Sequence, residues 1–236
     1  MKLPLLGKLT VVGAALWLSF SANAALSIRD LDGDWSNGHE GVYDDVLDIT
    51  WLADANYAKT SGYNTNGYME YPEVIVWADS VDIHGYDDWR LPITTDSGND
   101  GATYLSSIYE GVDYGFNLTV HSEMSFLYYV ALGNHAFEDT NGNQVVNGGL
   151  KNTGPFVNLE ETYYWSQTMY GEFGDEIWFF DFIDGFQAIQ WHLHDSLALL
   201  VHDGDIGAAV VPIPAAAWLF GSALAGLLVA RSKNKK

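Results

Sequence analysis

EIWFFDFIDGFQAIQWHLH (residues 176–194) sets aromatic and branched side chains on both sides of an Asp-Gly step. Asp184-Gly185 tolerates positive φ at both central positions of a tight turn, so the stretch predicts an antiparallel hairpin. TYYWSQTMY (162–170) upstream and LALLVHD (197–203) downstream read as further strands. Nearer the N-terminus, VYDDVLDITWL (42–52) alternates well enough for a short β pair. Two helical segments lie between. Pro72 and Glu73 open PEVIVWADSVDI, where Val74, Trp77, Ala78 and Val81 fall at helical spacing. Ser122 is expected to cap SEMSFLYYVALGN, with Met124, Leu127, Tyr128 and Ala131 on one face and Gly133 or Asn134 as the stop. Residues 56–71, 94–117 and 137–156 read as loops, and no internal repeat is present. The expectation is an α+β domain with two helices packed on antiparallel strands.

Both ends of the chain read differently from the middle. Residues 1–24 carry Lys2 and Lys8, an apolar run and the small-x-small ending Ala22-Asn23-Ala24. That pattern predicts a signal peptide, removed by signal peptidase near Ala25 during export. At the other end, residues 215–230 are all apolar or small and are followed by Arg231, Lys233, Lys235 and Lys236. As a helix the run is about 24 Å long against a bilayer core of about 30 Å. A transmembrane helix here needs local thinning or part of the preceding VPIP, and its basic end stays in the cytoplasm.

The expected domain, residues 25–210, holds all 31 acidic residues but only Arg29, Lys59, Arg90 and Lys151 as cations, a net charge of −27. Such a field repels nucleic acid, anionic lipid and sulfated polymers, and allows cations, neutral sugars and basic partners. The chain has no cysteine. Disulfides, thiol nucleophiles, Cys-ligated zinc and iron–sulfur chemistry are therefore excluded.

Four constellations invite a chemical reading. Asp30, Asp32 and Asp34 alternate around Gly33, and Asp139, Asn141 and Asn143 alternate in the same way. Alternating oxygen ligands in a glycine turn suit calcium, although neither run has EF-hand spacing and metal-free Asx turns look alike. His192 and His194 share a strand face, a spacing open to zinc or simply to a polar outer surface. Among the aromatics of the last third, Tyr164, Trp165, Trp178 and Trp191 are candidates for stacking on sugar rings, unless a helix or second sheet covers them. Ser106, Ser122 and Ser166 lack a nucleophile-elbow context, so catalysis has little support. Arg90 in YDDWRLP (86–92) is expected to brace the domain internally, paired with Asp87, Asp88 or an acid from a distant loop, with Trp89 and Leu91 pointing opposite ways.

Taken in order, YDDVLDITWLADANY (43–57), Trp77-Ala78, YDDWRLP, SEM with LYYVALGN, NTGPF (152–156), YYWSQT (163–168), the Asp184-Gly185 hairpin and LALLVHDGD (197–205) resemble the Lcl C-terminal domain family, which includes the C-terminal domain of the Legionella collagen-like adhesin. That resemblance implies an extracellular module for surface or glycan binding without an established catalytic role, and a C-type-lectin-like fold by analogy. One departure stands out: the family's Val-Arg-Pro-Gly-like ending is replaced here by Val201-His202-Asp203-Gly204-Asp205. The tail, Val211-Pro212-Ile213-Pro214 followed by the apolar run and RSKNKK, resembles PEP-CTERM sorting signals, with Pro-Ile-Pro where Pro-Glu-Pro is usual. It implies an exosortase-type processing enzyme cutting near Pro212 and Pro214, in a Gram-negative bacterium that makes exopolysaccharide. The expectation is an exported cell-surface or extracellular-matrix module that binds carbohydrate, with calcium as a structural ion. Its alternatives are a self-associating matrix protein without a sugar ligand and a polysaccharide hydrolase.

Overall fold

A computed structural model describes residues 26–95, 112–114, 122–139, 143–170 and 174–207. The segments expected to be a signal peptide (1–24) and a sorting motif (Pro212 and Pro214), the apolar run 215–230 and Asn141 lie outside the described residues. Among the described residues no helix is long and apolar enough to cross a membrane.

The domain is α+β, built on antiparallel sheets. The first sheet has the order β1-β2-β3-β10, from β1 (Leu26–Arg29), β2 (Gly41–Asp44), β3 (Ile49–Leu52) and β10 (Val201–Asp203). The β2–β3 pair is the one expected from VYDDVLDITWL, with Tyr43 opposite Thr50. β10 then pairs with β3, Val201 opposite Trp51, so the end of the domain closes against its beginning. The second sheet has the order β5-β8-β7-β6, from β5 (Val112–Tyr114), β6 (Tyr163–Tyr170), β7 (Glu176–Asp181) and β8 (Phe186–Trp191). A short pair, β4 (Met69–Glu70) with β9 (Asp195–Ser196), leads into the long helix.

The helices follow the sequence in part. α2 (Tyr71–Ser80) forms where proline begins the first turn, and buries Tyr71, Val74, Trp77 and Ala78. A short α1 (Tyr57–Thr60) forms inside the segment expected to be loop. α3 (Glu123–Phe126) makes one α-helical turn and then widens into a π-helical turn, Leu127–Ala131. The Leu132 N–H reaches back five residues to the Leu127 carbonyl, and Gly133 at φ +68° ends the helix. Ser122 takes the expected N-cap position, and its carbonyl accepts the Phe126 N–H, but its side chain makes no capping bond. Its hydroxyl accepts the Thr95 N–H, while the Glu123 N–H donates to the Ile93 carbonyl.

The second sheet is covered on both faces. Trp165, Ile177, Phe179 and Ala188 pack with Tyr71, Val74 and Trp77 of α2. Tyr164, Phe180 and Phe182 pack on the other side with Met124, Leu127 and Tyr128. Residues 197–201 run along the seam: Ala198 and Leu200 enter the first core, and Leu197, Leu199 and Val201 enter the second. Each large side chain removed from water in this way contributes roughly 1.5–3 kcal/mol before entropy is counted.

The β7–β8 hairpin is present, but its turn is not the two-residue type expected. Residues 182–185 separate the strands, and of the Asp184-Gly185 pair only Gly185 has positive φ, at +83°. The Asp181 carboxylate accepts the Ile183 N–H at 2.6 Å, and the Asp181 carbonyl accepts the Gly185 N–H at 2.9 Å. A Cβ on Gly185 would lie 2.5 Å from the Tyr129 hydroxyl, so the tyrosine pair of the π-turn presses against the hairpin. A turn with two positive-φ central residues occurs instead at His84 (+55°) and Gly85 (+91°), between Ile83 and Tyr86, which exchange backbone hydrogen bonds.

Candidate functional site

Asp30 follows the last residue of β1, and Glu40 precedes the first of β2. Because Arg29 pairs with Gly41, the two carboxylates face each other at the mouth of the loop they enclose. Within that loop each aspartate first satisfies local backbone. Asp30 Oδ1 accepts the N–H groups of Asp32 and Gly33, at 3.1 and 2.7 Å. Asp32 Oδ1 accepts the Asp34 N–H, and its Oδ2 accepts the Asn37 amide, both at 2.7 Å. The Asn37 amide and the Asp34 N–H hold the Asp32 carboxyl below the usual carboxylate range. Glu40 Oε2 accepts the Leu31 N–H at 2.9 Å.

Of the expected calcium trio, the fold brings Asp30 and Asp32 together but not Asp34. Asp34 turns to Ser36, accepting its N–H at 3.0 Å and its hydroxyl at 2.6 Å. Glu40 completes the cluster: one carboxylate oxygen each from Asp30, Asp32 and Glu40 lie within 4.8 Å of one another. The β1–β2 register is the sequence signal that could have found Glu40. At the second expected calcium loop, both Asp139 oxygens are engaged by Asn143, through its backbone N–H and side-chain amide. These bonds occupy the carboxylate rather than leave it open.

Glu40 also lines a cavity of about 250 Å³, with His39, Asp54, Tyr57, Ile83 and His84. A second cavity of about 340 Å³ is lined by Tyr57, Tyr63, Trp77, Ser80, Val81 and Asp82. Tyr57 lines both, while Ile83 and His84 line the first and their neighbours Val81 and Asp82 the second. Asp54 is fixed by the Asn56 N–H, the Asn158 amide and the Thr60 hydroxyl. Val157 is stitched beside it by backbone bonds to Ala53 and Ala55. The left-handed backbone at His84 turns its ring toward the β1–β2 loop, with Nε2 3.9 Å from Asp32 Oδ2. His39 is held by a contact from Nε2 to the Pro155 carbonyl at 2.9 Å. In the second cavity the half-exposed Tyr63 ring lies 6.1 Å from Trp77, tilted by 40°. Aromatic faces flanked by hydroxyls, carboxylates and imidazoles form a surface suited to a polyhydroxylated ligand.

The aromatics expected to stack on sugars are mostly elsewhere. Tyr164, Trp165 and Trp178 are at most 1% exposed and offer no face to a ligand. Trp165 Nε1 donates to the Met69 carbonyl, and the Tyr164 hydroxyl accepts the Glu160 N–H, so both rings are pinned inside. The physical reason is the second core: alternation along these strands sends every other ring into another apolar layer rather than into water. Trp191 is 44% exposed at the end of β8 and stacks on His192, with ring centroids 4.9 Å apart, but lines neither cavity. The shared strand face expected for His192 and His194 is absent. β8 ends at Trp191, and both histidines lie in the turn before β9.

Arg90, expected to pair with Asp87, Asp88 or an acid from a distant loop, pairs with acids distant in sequence. Its guanidinium donates to both Glu123 oxygens at 2.9 Å, to Asp203 Oδ1 at 2.6 and 3.0 Å, and to the Leu91 carbonyl at 3.1 Å. Burial pushes its pKa down, and the two carboxylates more than offset that. Glu123 Oε2 also accepts the Ile93 N–H, while the backbones of Arg90 and Val201 exchange two hydrogen bonds. Asp203 is thus a partner of Arg90 across 113 residues of chain. Arg29 repeats the arrangement with Asp205, at 2.6 and 3.0 Å, and lies over the Tyr43 ring. Trp89 and Leu91 do not point opposite ways. Two residues apart on extended backbone, they enter the same core.

Comparison with known proteins returns no match to a family model, a curated protein or a solved structure.

Proposed function

We propose that the chain is an exported module of the cell surface or extracellular matrix, and that it binds a neutral carbohydrate in the two cavities that share Tyr57. The observation that carries the reading is Tyr57, which lines both concavities, each of a size for about one sugar ring. The net charge of −27 over residues 25–210 favours neutral exopolysaccharide over sulfated polymers. Kinship with the Lcl C-terminal domain family, and a PEP-CTERM-type route through signal peptidase and an exosortase-type enzyme, are part of the same proposal. They rest on the ordered motifs and on Pro212 and Pro214. Self-association through the aromatic strands has less support, because the rings it needs at Tyr164, Trp165 and Trp178 are buried.

The test is a glycan array with the purified chain, wild type beside Tyr57→Ala and Tyr63→Ala, each checked for an unchanged melting temperature. Retention of a neutral polysaccharide by the wild type and its loss in both variants is the expected result. A folded wild type that retains no glycan ends the reading. For the tail, mass spectrometry of protein recovered from the native host is expected to find the peptide after Pro214 missing, and an intact C-terminal peptide would remove the processing step.

A further inference from the structure

We propose that Asp30, Asp32 and Glu40 form a binding site for a calcium ion at the edge of the first cavity. The three carboxylates lie within 4.8 Å of one another, no wider than a calcium coordination sphere with ligands at about 2.3–2.6 Å. An acidic cluster alone could be a solvated loop. Asp30, however, is only 9% exposed, and its Oδ2 is buried with no hydrogen-bond donor among the described residues. A carboxylate oxygen withdrawn from water and set beside two other carboxylates is costly unless a cation or donor meets it. No lysine or arginine fills that role: among the described residues Arg29 pairs with Asp205, Arg90 with Glu123 and Asp203, and Lys151 with Glu161, while Lys59 forms no ion pair. The His84 ring lies 3.9 Å from Asp32 Oδ2 and leaves Asp30 Oδ2 without a partner.

The backbone holds the ligand oxygens in place before any ion arrives. Amide donors occupy Asp30 Oδ1, Asp32 Oδ1 and Glu40 Oε2, and the Asn37 amide occupies Asp32 Oδ2. Asp30 Oδ2 alone among these oxygens is buried and left without a donor, beside the oxygens that Asp32 and Glu40 bring to the cluster. Three hard carboxylates without sulfur select calcium, and water completes the six to eight ligands it takes. Glu40 both binds the ion and lines the cavity, so the ion fixes one wall of the groove. The site stands whether or not the groove takes a sugar.

The test uses the full-length chain, stripped of metal, with two readouts: tryptophan-sensitised terbium luminescence displaced by calcium, and the melting temperature with and without calcium. Calcium at about 10 mM, above the roughly 10⁻⁴–10⁻³ M range of extracellular modules, is expected to raise the melting temperature of the wild type. Glu40→Gln keeps an acceptor for the Leu31 N–H, and Asp32→Asn keeps one for the Asp34 N–H while giving up the bond from the Asn37 amide. The melting temperature of each variant without calcium separates loss of the loop's own bonds from loss of the ion. Each is expected to weaken calcium binding about tenfold or more and to abolish the thermal increment. Asp34→Asn, whose carboxylate faces Ser36, is expected to retain both. The proposal is overturned if the wild type gives no calcium-dependent shift, if the shift survives in both Glu40→Gln and Asp32→Asn, or if Asp34→Asn loses it equally.

Discussion

Arg90→Ala removes a guanidinium that ties α3, β10 and the WRLP segment together. Alanine keeps the two backbone bonds to Val201, so only the side-chain effect is read. The loss falls unevenly on the two carboxylates. Asp203 is 78% exposed and returns to water at little cost. Glu123 is 15% exposed; it loses both charged donors and keeps only the Ile93 N–H. A fully buried carboxylate stripped of its partner costs about 3–5 kcal/mol, and partial access to water on both sides of this pair brings that to about 2–3 kcal/mol. For a domain of this size each kcal/mol moves the melting temperature by about 2–4 °C, so the expected fall is roughly 4–12 °C. Thermal unfolding by circular dichroism gives the number, and a double-mutant cycle with Glu123→Gln gives the reason. Neutralising Glu123 in the Arg90→Ala background is expected to restore stability, because the unpaired charge disappears. A fall of less than about 1 °C, or effects of the two substitutions that simply add, would refute the argument.

Asp181 is buried, and burial raises its carboxyl from 3.8 to about 7. The folded state therefore holds a proton that the unfolded chain releases near pH 4. Its contribution to stability is full below pH 4 and is lost as pH rises to about 7, a span of about 4 kcal/mol from the size of the shift. The melting temperature is expected to fall between pH 5 and 8, and Asp181→Asn to flatten that slope; an identical slope in the variant would dismiss Asp181 as its source. Gly67→Ala meets two obstacles, φ of +86° and an Asn56 Oδ1 only 1.8 Å from the new Cβ. Gly62→Ala has a similar φ, +80°, but open space. Urea titration is expected to give a loss of about 1 kcal/mol at Gly62 and at least twice that at Gly67; equal losses would mean that the loop moves aside freely.

What could be read from the sequence depended on how local its cause was. α2 was readable because its proline start and the spacing of Val74, Trp77 and Ala78 lie within three turns. The strands around Asp184-Gly185 were readable as strands, yet the turn was not, since the buried Asp181 carboxylate captures the Ile183 N–H and reshapes it. Alternation cannot tell water from a second core, and so the burial of Tyr164, Trp165 and Trp178 was hidden. α1 was hidden by the glycines and asparagines that follow it. The site was the least readable part. Asp34 and Glu40 are both acids near Asp30, and only strand register separates the one that turns to Ser36 from the one that faces the cluster. The groove gathers His39, Tyr57, Tyr63, Trp77 and His84 from separate segments, a juxtaposition made entirely by tertiary packing.

The two arginine clamps also bear on when the domain can form. Arg29 and Asp205 are 176 residues apart, and Arg90 and Asp203 are 113 apart. Closing a flexible loop that spans Arg29 to Asp205 costs about 4–5 kcal/mol of chain entropy, a demand met only after most other contacts exist. Until residues 197–205 join, β3 is an open sheet edge, and both cores lack the side chains that line their common seam. The segment made late in synthesis is thus required by the sheet begun first. A chain released before Asp205 is left with an adhesive edge, and the complete chain folds at the slow pace set by long-range pairing.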